Sequence, residues 1–206
     1  YFVFENASLL STIKGLYFDQ FYHDHLSYFW SLPIIKYLKT KKLNVFHIKK
    51  TPIQGGSIRV FVCKDKYIQE ISVVDVLEEE LEFGLGGEKV YQDFWNKLQI
   101  IKSNFFKIIN NYLDEGKTIS CYGCPAKFAL FSKFFELNDN NVKYVVDDSK
   151  FKQGLYSPES KILIVNKEYF IKNPTDVCIL SAWNFSTFIK ENNKQFNGIW
   201  INPFEL

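Results

Sequence analysis

Methionine is absent from all 206 residues, arginine occurs once, as Arg59, and histidine only three times. Arginine is the side chain whose planar fork reads bases and phosphates through paired hydrogen bonds, so its near absence argues against sequence-specific DNA binding. Lysine does not compensate: the formal net charge is only +2 and the basic residues are scattered. No uncharged apolar run reaches the roughly 18 residues that a membrane-spanning helix requires. Cysteine is sparse as well, with Cys63, Cys121, Cys124 and Cys178. A disulfide framework belongs to short, cysteine-dense secreted chains, and this chain is neither. No signal peptide is visible, and a chain that opens on Tyr1 without methionine reads as part of something longer, with the cytoplasm as default compartment.

Apolar and aromatic residues are plentiful. Hydrophobic residues make up 47% and aromatics 18%, with 21 Phe, 12 Tyr and 4 Trp. That is ample material for a packed core, arranged as one large domain or two small ones. Residues 1–5 read as a buried strand, and 6–16 as a helix capped by Ser8 or Asn6 and ending near Gly15. A second helix is expected from a Ser31 cap, with Pro33 in its first turn and Lys39, Lys41 and Lys42 at its end. The runs LNVFHIKK and SIRVFVCK, separated by TPIQGG, predict an antiparallel hairpin. Helical periodicity follows over 73–83 and 88–115. From Lys117 the rhythm changes to strands (TISCY, VKYVV, KILIV, DVCIL, GIWI) alternating with helices over 125–137, 166–172 and 184–195. Strands spaced by short helices imply a mainly parallel sheet, a small Rossmann-like α/β lobe over 117–206.

Three constellations carry chemistry. Tyr22, His23, Asp24, His25 and Tyr28 lie within seven residues and hold two of the three histidines. A carboxylate beside an imidazole fixes its tautomer and raises its basicity, as a general base requires; a polar loop with a satisfied histidine is the plainer alternative. The second is YGCPAK at 122–127, a strand-to-helix turn in which Gly123 permits a tight bend and Lys127 offers a charge to a phosphate. Only one glycine of G-x-G-x-x-G is present, so dinucleotide binding ranks below a nucleotide-sugar reading. The third is the loop 145–158, with Asp147, Asp148, Lys152, Gln153 and Tyr156, and near it the AWNF segment containing Trp183 and Asn184. Loops at the carboxyl ends of strands in open sheets are where ligands bind; packing for Trp183 and solvation for the lysines are the bland alternatives. Cys121 and Cys124 form C-x-x-C, but no second ligand pair follows as zinc would need, and Cys121 falls inside a strand. They read as small apolar residues, and no metal site is expected.

Taken in order, these segments resemble the S-adenosylmethionine-dependent sugar C-methyltransferase family. Its Y-H-E-H-L-S-Y block appears as Tyr22–Tyr28, its P-I-H-G-G-S-L-R-V hairpin as Pro52–Val60, and its Y-G-A-x-A-K-G turn as Tyr122–Phe128. Its V-D-D-x-x-x-K-Q-G-x-Y-x-P stretch and A-W-N-F appear within Val146–Ile164 and as Ala182–Phe185. The departures are Asp24 for Glu, Gln54 for His, Phe128 for Gly, and Pro158–Ile164 read as PESKILI.

The resemblance implies the end of a class I methyltransferase sheet over 1–66, with strand, helices and antiparallel hairpin. A helical connector over 67–116 joins it to the Rossmann-like lobe at 117–206. It implies methylation of a carbon beside a ketone on a nucleotide-linked deoxysugar, with Tyr22, Asp24 and His25 catalytic and His25 as the base. Asp24 and Tyr22 would orient that base or stabilise the enolate. Lys127, Asp147, Lys152, Gln153, Tyr156, Trp183 and Asn184 would bind the nucleotide sugar. The family's cysteine-bound zinc module and its glycine-rich loop for S-adenosylmethionine have no counterpart in this sequence. A non-enzymatic Rossmann-like module that binds a nucleotide sugar or a partner chain is the competing reading, and an NAD-dependent enzyme a weaker third.

Overall fold

Alternation of apolar residues at a period of two forms the first sheet. The computed structural model describes residues 1–64 and 70–206, so the expected boundary at 66 and 67 lies outside the described residues. Strand β1 (Phe2–Ala7) runs antiparallel to β3 (Ser57–Cys63), which also pairs antiparallel with β2 (Asn44–Thr51), giving the order β1-β3-β2. A register shift between Val45 and His47 marks a bulge in the hairpin. Central β3 buries Ile58, Val60 and Val62 on one face, the alternation that a half-covered strand requires. Helices α2 (Ser31–Thr40) and α3 (Ile71–Glu82) cover that face with Ile34, Leu38, Val73 and Val76. Helix α1 (Leu9–Lys14) starts under the cap expected of Ser8, whose side chain accepts the Ser11 N–H at 3.3 Å.

Ser31 does not cap α2; it is the first helical residue, and its neighbour Trp30 makes no side-chain cap. The orphan amide is met from outside the helix. Glu80 of α3, 0% exposed, accepts the Ser31 N–H at 2.8 Å and the Ser31 hydroxyl at 3.1 Å. A carboxylate at a helix N-terminus is favoured by the helix dipole as well as by these two bonds.

Helix α4 (Lys89–Asp114) matches the periodicity read over 88–115. The chain divides into two compact units, Tyr1–Leu98 and Gln99–Leu206, and the division falls within this helix.

In the second unit, strands β4 (Ile119–Tyr122), β5 (Val145–Val146), β6 (Ile164–Val165), β7 (Val177–Leu180) and β8 (Ile199–Ile201) form one parallel sheet in the order β6-β5-β4-β7-β8. Every residue of β4 and β7 is buried, so both faces of the sheet are covered. One face packs on Phe170 of α6 (Lys167–Lys172) and Ile189 of α7 (Ser186–Asn192). Phe105 of α4 meets Phe135 at 4.2 Å between ring centres, just past α5 (Phe128–Phe134). The molecule is thus mixed α/β, a small antiparallel sheet and a doubly wound parallel one, as the strand and helix rhythm implies. The order of the parallel sheet reverses between β4 and β7, the switch point where such sheets open a crevice.

Burial raises the Glu80 carboxyl above its ordinary 4.5 more than the two Ser31 bonds lower it. The folded state therefore holds the proton more tightly than the unfolded chain, and this group's contribution to stability falls as pH rises through the window above about 4.5. Glu80→Gln keeps an acceptor for the Ser31 amide and gives Ser31 Oγ a donor. Urea unfolding across the acid-to-neutral range is expected to show the variant gaining stability over the parent as pH rises; parallel curves would refute the assignment.

Candidate functional site

The YHDH segment sits in the first unit, just after a 3-10 turn at Phe18–Gln20 that buries Asp19 and Gln20. The His25 N–H donates to the Tyr22 carbonyl at 2.9 Å, which folds the segment back on itself. His25 Nδ1 then lies 3.0 Å from the carbonyl oxygen of Gln20. A carbonyl can only accept, so Nδ1 carries the proton and Nε2 is the basic nitrogen. The Tyr22 ring lies 4.5 Å from the His25 ring, centre to centre.

Asp24 takes a different part from the one its position beside His25 suggests. Its Oδ1 lies 3.1 Å from Nε2 of His23, a pair whose side chains are 82% and 55% exposed. An exposed pair of this kind contributes little. The His25 tautomer is set by main chain instead. Burial, then the charges of Asp24 and Asp19, push the Tyr22 phenol up; burial, then Tyr22, does the same for Tyr28. Both phenols stay protonated at neutral pH and can donate.

A cavity of about 490 Å³ has Asp24, His25, Tyr28, Asn6, Thr12 and Gln54 among its lining residues. Gln54 and Gln20 were missed as site residues. Gln54 occupies the left-handed region at φ 53°, in the turn between β2 and β3, and held strain of this kind gathers at functional sites. The TPIQGG turn was a signal for it. Nothing in the local pattern marks Gln20, because a buried glutamine in a 3-10 turn has no periodicity of its own.

In the second unit the residues expected to bind a nucleotide largely bind one another. Asp147 accepts the Cys124 N–H at 2.9 Å through one oxygen and the Ser149 N–H at 2.9 Å through the other. Lys152 donates to the Cys124 carbonyl at 2.7 Å and stands 3.5 Å from the Asp147 carboxylate, and Gln153 donates to the Asp147 carbonyl at 2.9 Å. The Asp147 carboxylate thus occupies the amide that a phosphate would seek after Gly123. Lys127 Nζ sits 4.4 Å above the Trp183 ring, a cation–π pair, and Trp183 in turn packs on Phe204. Tyr156 and Asn184 stand exposed. Cys121 and Cys124 are free and buried, and burial pushes the Cys124 thiol up to about 11, which leaves it inert. Among the described residues, no group of three or more acids, histidines and cysteines converges as a metal would need. Among them, too, no helix is long and apolar enough to cross a membrane.

The glycine turn between these strands is closed tightly. Gly123 has φ 98°, and a Cβ there would run into the Cβ of Ala182 across the switch point. Ser181 Oγ donates to the Gly123 carbonyl at 2.5 Å, and the amides of Ser181 and Ala182 both donate to the Tyr122 carbonyl at 3.1 Å.

Residues 52–204 match the family of the C-methyltransferase C-terminal domain, and the chain belongs to that family. It is also similar to a C-methyltransferase, NovU, of Streptomyces niveus, with 27% identity over 197 residues. That likeness covers 95% of this chain and 47% of the relative, so the chain spans about half the relative's length. The family match begins downstream of Tyr22–Tyr28, whereas the likeness to the relative takes in nearly the whole chain.

Gly123→Ala combines left-handed strain with overpacking and is expected to destabilise the chain by about 2–4 kcal/mol. Gly116→Ala, at φ 73° with open space around the added methyl, should cost about 1–2 kcal/mol from backbone conformation alone. Urea unfolding of both variants checks this, and equal losses would show that the switch point is not closed as described.

Proposed function

We propose that this chain carries the proton-transfer machinery of an S-adenosylmethionine-dependent C-methyltransferase acting on a nucleotide-linked keto-deoxysugar. Membership of the C-methyltransferase family supports the class, and the hydrogen bond that fixes the His25 tautomer on a cavity wall is the observation that carries the reading.

S-adenosylmethionine would supply the methyl cation equivalent. The described residues do not fit it: the glycine turn after β4 has its Cys124 amide bonded to Asp147, and no other glycine turn joins a described strand to a helix start.

The step these residues can perform is removal of a proton beside a carbonyl. His25 Nε2 takes that proton; the C–H electron pair moves onto the carbonyl, giving an enolate whose carbon is the nucleophile. Nδ1–H keeps its bond to the Gln20 carbonyl throughout, so the imidazolium forms without reorienting. The protonated phenols of Tyr22 and Tyr28 are the donors proposed for the enolate oxygen. Asp24, on the cavity wall, is proposed to accept from a sugar hydroxyl rather than to orient His25. In the second unit, Tyr156 and Asn184 are proposed to hold the nucleotide. Lys127, Asp147, Lys152, Gln153 and Trp183 are assigned to building that surface, because their polar atoms or rings already meet neighbours.

The test uses the full-length protein with keto-deoxysugar nucleotides. His25→Ala is expected to lower turnover by about 10²–10⁴-fold and to stop exchange of the substrate α-proton with deuterated solvent. Retained exchange in that variant would remove His25 as base.

A further inference from the structure

We propose that Gln20 is a positioning residue, which sets the His25 tautomer through its main chain and is itself locked by both ends of its side chain. The inference rests on the reading of His25 as the base.

Gln20 is 5% exposed, and each polar atom of its amide has a partner. Oε1 accepts from the hydroxyl of Thr12 in α1 at 3.0 Å, and Nε2 donates to the carbonyl of Gln54 at 2.7 Å. The reverse orientation would set one acceptor against another at Gln54, so the amide has a single satisfied pose. The Phe18–Gln20 turn closes with the Phe21 N–H on the Phe18 carbonyl, which leaves the Gln20 carbonyl beyond the turn's end. A 3-10 turn of three residues does not fix that carbonyl's direction through its own hydrogen bonds. The clamped side chain does. The carbonyl consequently meets His25 Nδ1 at 3.0 Å, with the Tyr28 hydroxyl at 3.5 Å.

The second end of the clamp reaches the other wall of the same cavity. Gln54 is held at positive φ with its carbonyl accepting from Gln20. One buried amide therefore determines both which nitrogen of His25 is basic and where the Gln54 turn stands. Mutation of outer groups that fix a histidine tautomer typically costs on the order of 10–100-fold in activity at metal-bound histidines, and the same logic applies to a histidine base.

A merely structural glutamine would change stability and leave the ring tautomer alone, so the tautomer is the quantity to read. The experiment is long-range proton–nitrogen NMR of the histidine rings in the chain described here, with His25 assigned by its loss in His25→Ala. The parent should show a protonated Nδ1 and a bare Nε2. Gln20→Leu, close in size, should turn His25 into a mixture of both tautomers. Thr12→Val, which frees only one end of the clamp and preserves shape, should move it part of the way and guards against a misfolded first variant. In the full-length enzyme Gln20→Leu should lower kcat on the order of 10-fold with little change in KM. An unchanged His25 tautomer in the folded variants would overturn the proposal. Should His25→Ala retain turnover while the tautomer still responds to Gln20, the catalytic reading fails and the positioning contact stands.

Discussion

The hydrogen bond from Gln20 Nε2 to the Gln54 carbonyl joins segments 34 residues apart, and the candidate site depends on it. One side of that bond is a short turn that cannot orient itself; the other is a left-handed residue in a hairpin loop. A buried amide with both ends satisfied has one orientation, and it passes that uniqueness to whatever its main chain touches. His25 receives its tautomer in this way. The carboxylate next to it in sequence faces His23 and leaves the imidazole to the backbone.

The same device recurs where polar groups are buried elsewhere. Glu80 reaches from α3 to the first amide of α2, so an orphan helix donor is met by tertiary contact rather than by a local cap. Asp147 does the equivalent work at the end of β5, accepting amides from the turn after β4 and from its own loop. Each of these side chains looks functional in isolation, because acids and amides near helix starts and strand ends are what binding sites use. In this fold they are internal ligands. Where the strand order reverses, Gly123 lies close against Ala182 with no room for a side chain, and the Cys124 amide beside it is taken by Asp147.

That pattern bears on how the two units divide the chemistry. The first unit keeps a cavity lined by the titratable residues Asp24, His25 and Tyr28. The second unit presents Tyr156 and Asn184 in the open, while Asp147 and Lys152 bond to its own loops. A binding role for that surface therefore rests on the exposed polar and aromatic groups more than on the acids and lysines that the motifs bring to notice.

Much of this was legible beforehand. The alternation in SIRVFVC, the 3.6-residue period of α4 and the strand-and-helix rhythm after Lys117 specify their elements because burial of apolar side chains decides secondary structure locally. The cluster at 22–28 was legible as a group of chemically apt residues, since composition and spacing along the chain are all that such a reading uses. Which of them meet was not. Asp24 was the obvious partner for His25 by adjacency, yet adjacency along a turn does not determine side-chain direction, and the carbonyl that took the role belongs to a residue with no pattern to announce it. Hydrogen-bond partners depend on where separate segments are brought by the packed core, so residue types and elements followed from the sequence itself, whereas the tautomer of His25, the cap of α2 and the pairing of Asp147 with the Cys124 amide were decided only by the tertiary fold.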